Sequence, residues 1–183
     1  TGDSKWITGP ESRMQGHILR QRTDAIMVGV GTVLADDPSL DPRPESLDPV
    51  PSLKVIMDTH LRTPPDARLF KSPGRVVIFT SDNANAEKYK KLSKPGIEIV
   101  PLAESAGSPS LAHALCCLKS RNCQSVMIEG GGELLGAAFD DGLVDEVWAF
   151  IAPMIIGGGK PSVNGMGPDH LVQISSLEDI TIQ

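Results

Sequence analysis

The residues best suited to chemistry in this sequence are a few carboxylates, a few arginines and a run of glycines. Glu129 closes the apolar run Ser125-Val126-Met127-Ile128 and precedes Gly130, Gly131 and Gly132. Glu133 to Phe139 then shows helical spacing, so the order reads strand, glycine turn, helix. The first N–H groups of a helix have no internal partner and lie at the positive end of its dipole. Glycines before them remove the side chains that would keep a phosphate away. Holding a pyrophosphate-bearing ligand is therefore one use of this stretch. A plain tight connection from strand to helix, which also favours glycine, is the other. The full dinucleotide fingerprint is not met.

Arg20 and Arg43 are candidates for phosphate recognition, because a guanidinium offers paired donors in a fixed fork. The competing reading of each is a solvated surface arginine. Asp36, Asp37 and Glu129 could bind hydroxyls or move a proton, and Asp36 could equally end a short helix. Thr32 could donate to a phosphate or cap its own turn. Trp6 could stack on a flat ring or simply fill core. Gly157-Gly158-Gly159-Lys160 fails as a Walker loop, since Pro161 follows the lysine and Met154 holds the earlier glycine's place. No Ser/His/Asp or Cys/His arrangement supports nucleophilic hydrolysis. The four histidines form no ligand motif, and Cys116, Cys117 and Cys123 lack zinc spacing. No metal is expected. An odd, clustered set of thiols reads as reduced cysteine in a cytoplasmic setting.

The elements that must carry these residues follow from periodicity. Thr8-Gly9-Pro10-Glu11 has capping-box spacing with proline in the first turn, predicting a helix from about Gly9 to Gln21. Asp24 to Val30 is a nearly unbroken apolar run, the mark of a strand buried on both faces. Gly31 to Asp36 follows as a turn into a short helix, and Asp37-Pro38 ends it. Further strands are expected at Lys54 to Asp58, Arg75 to Thr80, Gly96 to Leu102, Val147 to Ile151 and Ile174 to Ile182. Helices are expected at Ala84 to Leu92 and Ser110 to Arg121. Strands alternating with helices call for a parallel sheet with crossover helices. Ligands of such sheets lie outside the carboxyl ends of the strands. Those ends are Gly29 to Asp36, Asp58 to His60 and Glu129 to Glu133, and the first and third could wall one cleft.

The chain has 183 residues, 40% of them apolar, enough for one domain with a real core. Its net charge of -6 argues against a nucleic-acid or acidic-membrane partner. No apolar run is long enough to span a bilayer.

With those residues in hand, the chain resembles the reductase domain of the bifunctional riboflavin-biosynthesis deaminase/reductase. The resemblance is carried by Ser4–Arg13, Leu19–Arg43, Lys54–Asp58, Ile128–Val147 and Ile151–Gly159, in the family's order. The run Thr-Val-Leu-Ala-Asp-Asp-Pro from Thr32, with Leu40 and Arg43 after it, is far more specific than any glycine loop. The resemblance implies an α/β, dihydrofolate-reductase-like fold, a mainly parallel central sheet flanked by helices. It implies NADPH-dependent reduction of 5-amino-6-(5-phosphoribosylamino)uracil to the ribityl product, with hydride reaching C1′ of the opened ribose. Ser4, Arg20, Leu40, Arg43 and Glu129 would contact this phosphorylated substrate. Trp6, Thr32, Asp36, Gly131, Gly132, Glu133, Leu134, Leu135, Gly136 and Ala137 would line the NADPH site. Asp36 and Glu129 would polarise or protonate the reacting sugar. A homodimer is implied, with a deaminase domain fused or associated.

The chain is expected to be a single reductase domain over residues 1–183. By the resemblance, the chain is expected to lack the family's opening strand, with its lysine, and the end of the closing strand. Met154 stands where a lysine is usual. A non-catalytic domain binding a nucleotide or phosphoribosyl ligand is the alternative of a different class. A pterin or folate reductase of the same fold is a third, and the paired arginines favour a phosphorylated substrate over it.

Overall fold

A computed structural model of the chain describes residues 7–42, 51–105, 107–154, 161–167 and 177–181. Its centre is a five-stranded sheet of β1 (Ala25–Gly29), β2 (Leu53–Met57), β3 (Val76–Ser81), β4 (Ile97–Leu102) and, after a two-residue ladder of β5 (Glu104–Ser105) and β6 (Ser108–Pro109), β7 (Val126–Ile128). The spatial order is β4-β3-β2-β1-β7, and every pair is parallel. The chain thus walks outward from β1 to β4, then returns to place β7 on the other side of β1.

The apolar runs are continuous because both faces of the sheet are covered. Ile26, Val28, Ile56 and Ile78 pack on one side with Val30 and Val33 of α2 (Val30–Asp36) and Leu92 of α3 (Ala86–Leu92). Met27, Val55, Val77 and Phe79 pack on the other with Leu111, Ala114 and Leu118 of α4 (Leu111–Lys119) and Leu134 and Ala138 of α5 (Gly132–Asp140). All six residues of β3, next to the sheet's centre, are buried. The expected α/β architecture holds.

Helix ends follow local chemistry. Asn85 Oδ1 accepts from the N–H groups of Glu87 and Lys88 at the start of α3, and Ser110 Oγ accepts from His113 N–H in α4. The first helix, α1 (Pro10–Arg22), differs from expectation. Its N-cap is Gly9, with no side-chain cap, and proline takes the first position. The Thr8 carbonyl accepts from Arg13 Nη1. Proline's fixed φ already suits the first helical position, so no capping box is needed. No residue of α1 is fully buried, and Met14 and Ile18 are only half-buried.

The strand expected at Val147 to Ile151 does not form. Val147, Trp148 and Phe150 are 39–44% exposed, and Ile151 is 88% exposed. Strand propensity needs a partner edge to act on, and these residues join no ladder. Of the strand expected at Ile174 to Ile182, residues 174–176 and 182 lie outside the described residues, and 177–181 are not a strand. The loop at Gly157 to Lys160 also lies outside them.

Two buried charges organise the loops. Asp58, fully buried, accepts from the N–H groups of Arg62 and Thr63 at 2.9 and 2.8 Å and from Thr63 Oγ1 at 2.7 Å. Lys54, 1% exposed, donates to Ser72 Oγ and to the Leu69 and Pro73 carbonyls, and pairs with Asp41 Oδ1 at 2.9 Å. Before the start of β1, at the end of the sheet away from Asp58, Asp24 accepts from the N–H groups of Gln124 and Ser125, which hold its carboxyl below the usual carboxylate range.

Candidate active site

The sheet's order reverses between β1 and β7, which is where an open α/β sheet makes a crevice at its strand ends. β1 and β7 pair from Ala25 with Val126 to Met27 with Ile128. Glu129 N–H then donates to the Met27 carbonyl at 2.9 Å, so Glu129 stands at the last rung. The alternation of a strand turns its side chain away from Ile128, toward the face that carries α2.

There Glu129 meets Arg20, from the last turns of α1. Arg20 Nε donates to Glu129 Oε1 at 2.6 Å and Nη2 to Oε2 at 2.5 Å, a bidentate fork between residues 109 apart in sequence. The third nitrogen, Nη1, donates to the Asp41 carbonyl at 3.2 Å. Both side chains remain about one-fifth exposed, at 21% and 19%, so the pair can still be reached by a ligand. The arginine holds the carboxylate in one orientation. Arg20 itself is already engaged in-plane, so it offers an incoming phosphate less than a free guanidinium would.

The glycine turn lies beside this pair. Gly130 and Gly131 have φ of 73° and 87°, conformations that L side chains rarely adopt. A Cβ on Gly131 would meet Thr32 Oγ1 at 3.5 Å and the Gly29 nitrogen at 3.7 Å. The start of α2 and the start of α5 are thus in close approach, and the two expected walls of one cleft come together. No side chain caps α5. The first N–H groups of a helix are the donors that an anion site requires. The Asn164 N–H donates to the Gly132 carbonyl at 2.8 Å, so residues 161–167 border the same helix end.

The other expected residues divide by what their side chains do. Thr32 and Asp36 are four apart on α2 and share a face. Asp36 is exposed at the last residue of that helix. Glu133 is exposed, and Leu135 and Ala137 are half-buried. Leu134 is 9% exposed and packs in the core, so it can offer a ligand only its backbone. Gly136 faces residues 164–165, where an added Cβ would lie 2.4 Å from backbone atoms. Leu40 is 2% exposed, its side chain in the core and its φ at 57°. Ser4, Trp6 and Arg43 lie outside the described residues. Asp41 and Lys54 were missed by sequence reasoning. The only cue was a lysine opening the apolar run Lys54-Val55-Ile56-Met57, which demands buried partners if the run is a core strand.

Among the described residues, no cluster of His, Cys, Asp and Glu could hold a metal ion. None of the described helices is long and apolar enough to cross a membrane. The uncapped, glycine-led start of α5 fits the diphosphate of a dinucleotide.

Comparison with known proteins bears on the family. The model of the RibD C-terminal domain matches residues 1–182. The riboflavin biosynthesis protein RibD of Aquifex aeolicus is 37% identical over 91% of this chain and 45% of its own. A Methanothermobacter thermautotrophicus protein, named 2,5-diamino-6-ribosylamino-4(3H)-pyrimidinone 5′-phosphate reductase, is 36% identical over 97% of this chain and 82% of its own. The crystal structure of a Thermotoga maritima diaminohydroxyphosphoribosylaminopyrimidine deaminase/5-amino-6-(5-phosphoribosylamino)uracil reductase superposes with a TM-score of 0.61 at 32% identity. That superposition covers 76% of this chain and 36% of that one. The chain spans about half the length of the RibD relatives it matches. The resemblance read from the motifs is borne out, as is the dihydrofolate-reductase-like fold. This chain belongs to the RibD C-terminal domain family.

Proposed function

We propose that the chain is an NADPH-dependent reductase of riboflavin biosynthesis, acting on 5-amino-6-(5-phosphoribosylamino)uracil and yielding the ribitylamino product. One observation carries this reading. The Arg20–Glu129 fork stands beside the uncapped, glycine-led start of α5, at the point where the sheet order reverses. Membership of the family and the names of its relatives support the reaction class.

Bound NADPH would be the source of the hydride that reduces C1′ of the ring-opened ribose. The chain's part is to bind, orient and handle a proton. Gly131 to Ala137 would line the NADPH site, flanked by Thr32 and Asp36, with the first N–H groups of α5 at the diphosphate and Trp6 stacking on a flat ring. Glu129, aligned by Arg20, would hold hydroxyls of the ribose chain and is the first candidate for proton transfer. Asp36, on the Thr32 side of the crevice, is the second candidate for proton transfer. Ser4, the Leu40 backbone and Arg43 complete the substrate side, with Arg43 on the 5′-phosphate. The chain works as a cytoplasmic homodimer, fused to or associated with a deaminase domain.

The test follows NADPH oxidation at its absorbance band, with the phosphoribosylaminouracil and, separately, the diaminopyrimidinone named for the methanogen relative. Oxidation with the uracil supports the reading. Oxidation with the diaminopyrimidinone alone moves the substrate one deamination earlier. Oxidation with neither refutes a reductase of riboflavin biosynthesis, and retained NADPH binding would then favour a binding domain.

A further inference from the structure

Lys54 has no place in the chemistry above, yet its surroundings are unusually complete. Its ammonium has four oxygen partners, Asp41 Oδ1, Ser72 Oγ and the Leu69 and Pro73 carbonyls. Asp41 is shared. Its carboxylate takes Lys54 while its carbonyl takes Arg20 Nη1, the arginine that holds Glu129. The charges alternate from Glu129 through Arg20 and Asp41 to Lys54. The same loop is fixed elsewhere: Asp37 Oδ1 accepts from Arg68 N–H at 2.8 Å, and the Ser39 carbonyl from Ser72 Oγ at 3.3 Å. Two of its residues, Asp37 and Leu40, hold left-handed backbone at φ of 41° and 57°. Non-glycine residues stay there only when their surroundings hold them.

We infer that Lys54 is a positioning residue: through Asp41 it locks the loop of residues 37–42 against the Arg20–Glu129 pair, setting the substrate wall of the crevice. This rests on the proposed function for the meaning of that wall. A bare structural lysine would not need to reach the site's own loop. The partner it selects on that loop is the residue whose carbonyl also receives Arg20.

The experiment compares Asp41→Asn, Lys54→Met and the double variant. Asp41 is 21% exposed, so its variant keeps the test open if Lys54→Met fails to fold. Asp41→Asn should raise KM for the phosphorylated pyrimidine by about tenfold, the scale of coupling between residues in one network. Its kcat and its Kd for NADPH should change less than about twofold, and the double variant should be no worse than either single one. Amide exchange at Ser39, Leu40 and Asp41 should quicken by about tenfold, with β3 unchanged. Additive effects, an unchanged KM, or exchange no faster in the loop than in β3 would overturn the inference. If the wild-type chain oxidises no NADPH, the reductase reading falls alone. Loop exchange then decides for Lys54: faster in both variants supports it, unchanged overturns it.

Discussion

The functional weight of Glu129 comes from its partner. A lone carboxylate at a strand end would rotate freely, whereas the Arg20 fork fixes both oxygens. Glu129→Gln keeps the shape and removes the charge. It should lower kcat by about 100-fold, the lower bound for losing a proton-transfer group, with NADPH affinity unchanged in a binding titration. Arg43→Ala should weaken the phosphorylated substrate by about 1.5–3 kcal/mol, the scale of a charged hydrogen bond, again sparing NADPH. Equal losses for both ligands would show the assignment to be wrong. Asp24 gives a pH prediction far from the site. Backbone N–H groups of Gln124 and Ser125 lower its carboxyl in the folded state. Its contribution is therefore complete above the ordinary aspartate range and is lost as pH falls through the lowered value. Asp24→Asn should lower the urea midpoint at neutral pH and flatten its decline in acid.

At the scale of elements, α5 does two jobs. Its glycine-led start stands beside Thr32, and from Gly132 to Asp140 it seats residues 161–167. The Asp140 carboxylate accepts from the N–H groups of Met166 and Gly167 at 2.6 and 3.0 Å, which ties that segment along the helix. Gly136 makes the tightest approach. Alanine there would gain about 1 kcal/mol of helix propensity. It would also drive a Cβ to 2.4 Å from the Asn164 and Gly165 backbone, and overpacking of this kind costs about 1–3 kcal/mol. The clash should win. Gly136→Ala is expected to lower Tm by a few degrees and to expose residues 161–167 to limited proteolysis first. A rise in Tm with unchanged cleavage would count against the seating of that segment.

The whole molecule is a parallel sheet held from both sides, so its stability is centred away from the crevice. Phe79, fully buried on β3, packs among Val77, Leu102 and α4. Phe79→Ala should destabilise the fold by about 3–5 kcal/mol through lost burial and a cavity, read as a drop in the denaturant midpoint with an unchanged slope. The crevice itself is made by topology. β1 and β7 are about a hundred residues apart in the chain and adjacent in space, and their pairing alone brings Thr32 to the glycine turn and Glu129 to Arg20.

Local pattern was enough to place most elements. The strands at β1 to β4, the short strand before Glu129 and the helices after Gly29 and Gly131 were legible because each is marked within its own residues, by apolar runs, glycine turns and capping side chains. The family motifs, Thr32 to Arg43 above all, were legible for the same reason. Pairing was not. Val147 to Ile151 has strand composition, but a strand exists only where another edge receives it. The fork from Arg20 to Glu129, the burial of Leu40 and the four partners of Lys54 likewise depend on which distant segments the sheet order makes neighbours. The sequence by itself determined that a carboxylate and a glycine turn would stand at one strand end. The tertiary structure decided that the carboxylate is oriented by an arginine from the first helix, because hydrogen bonds across such distances are set by topology and packing rather than by spacing along the chain.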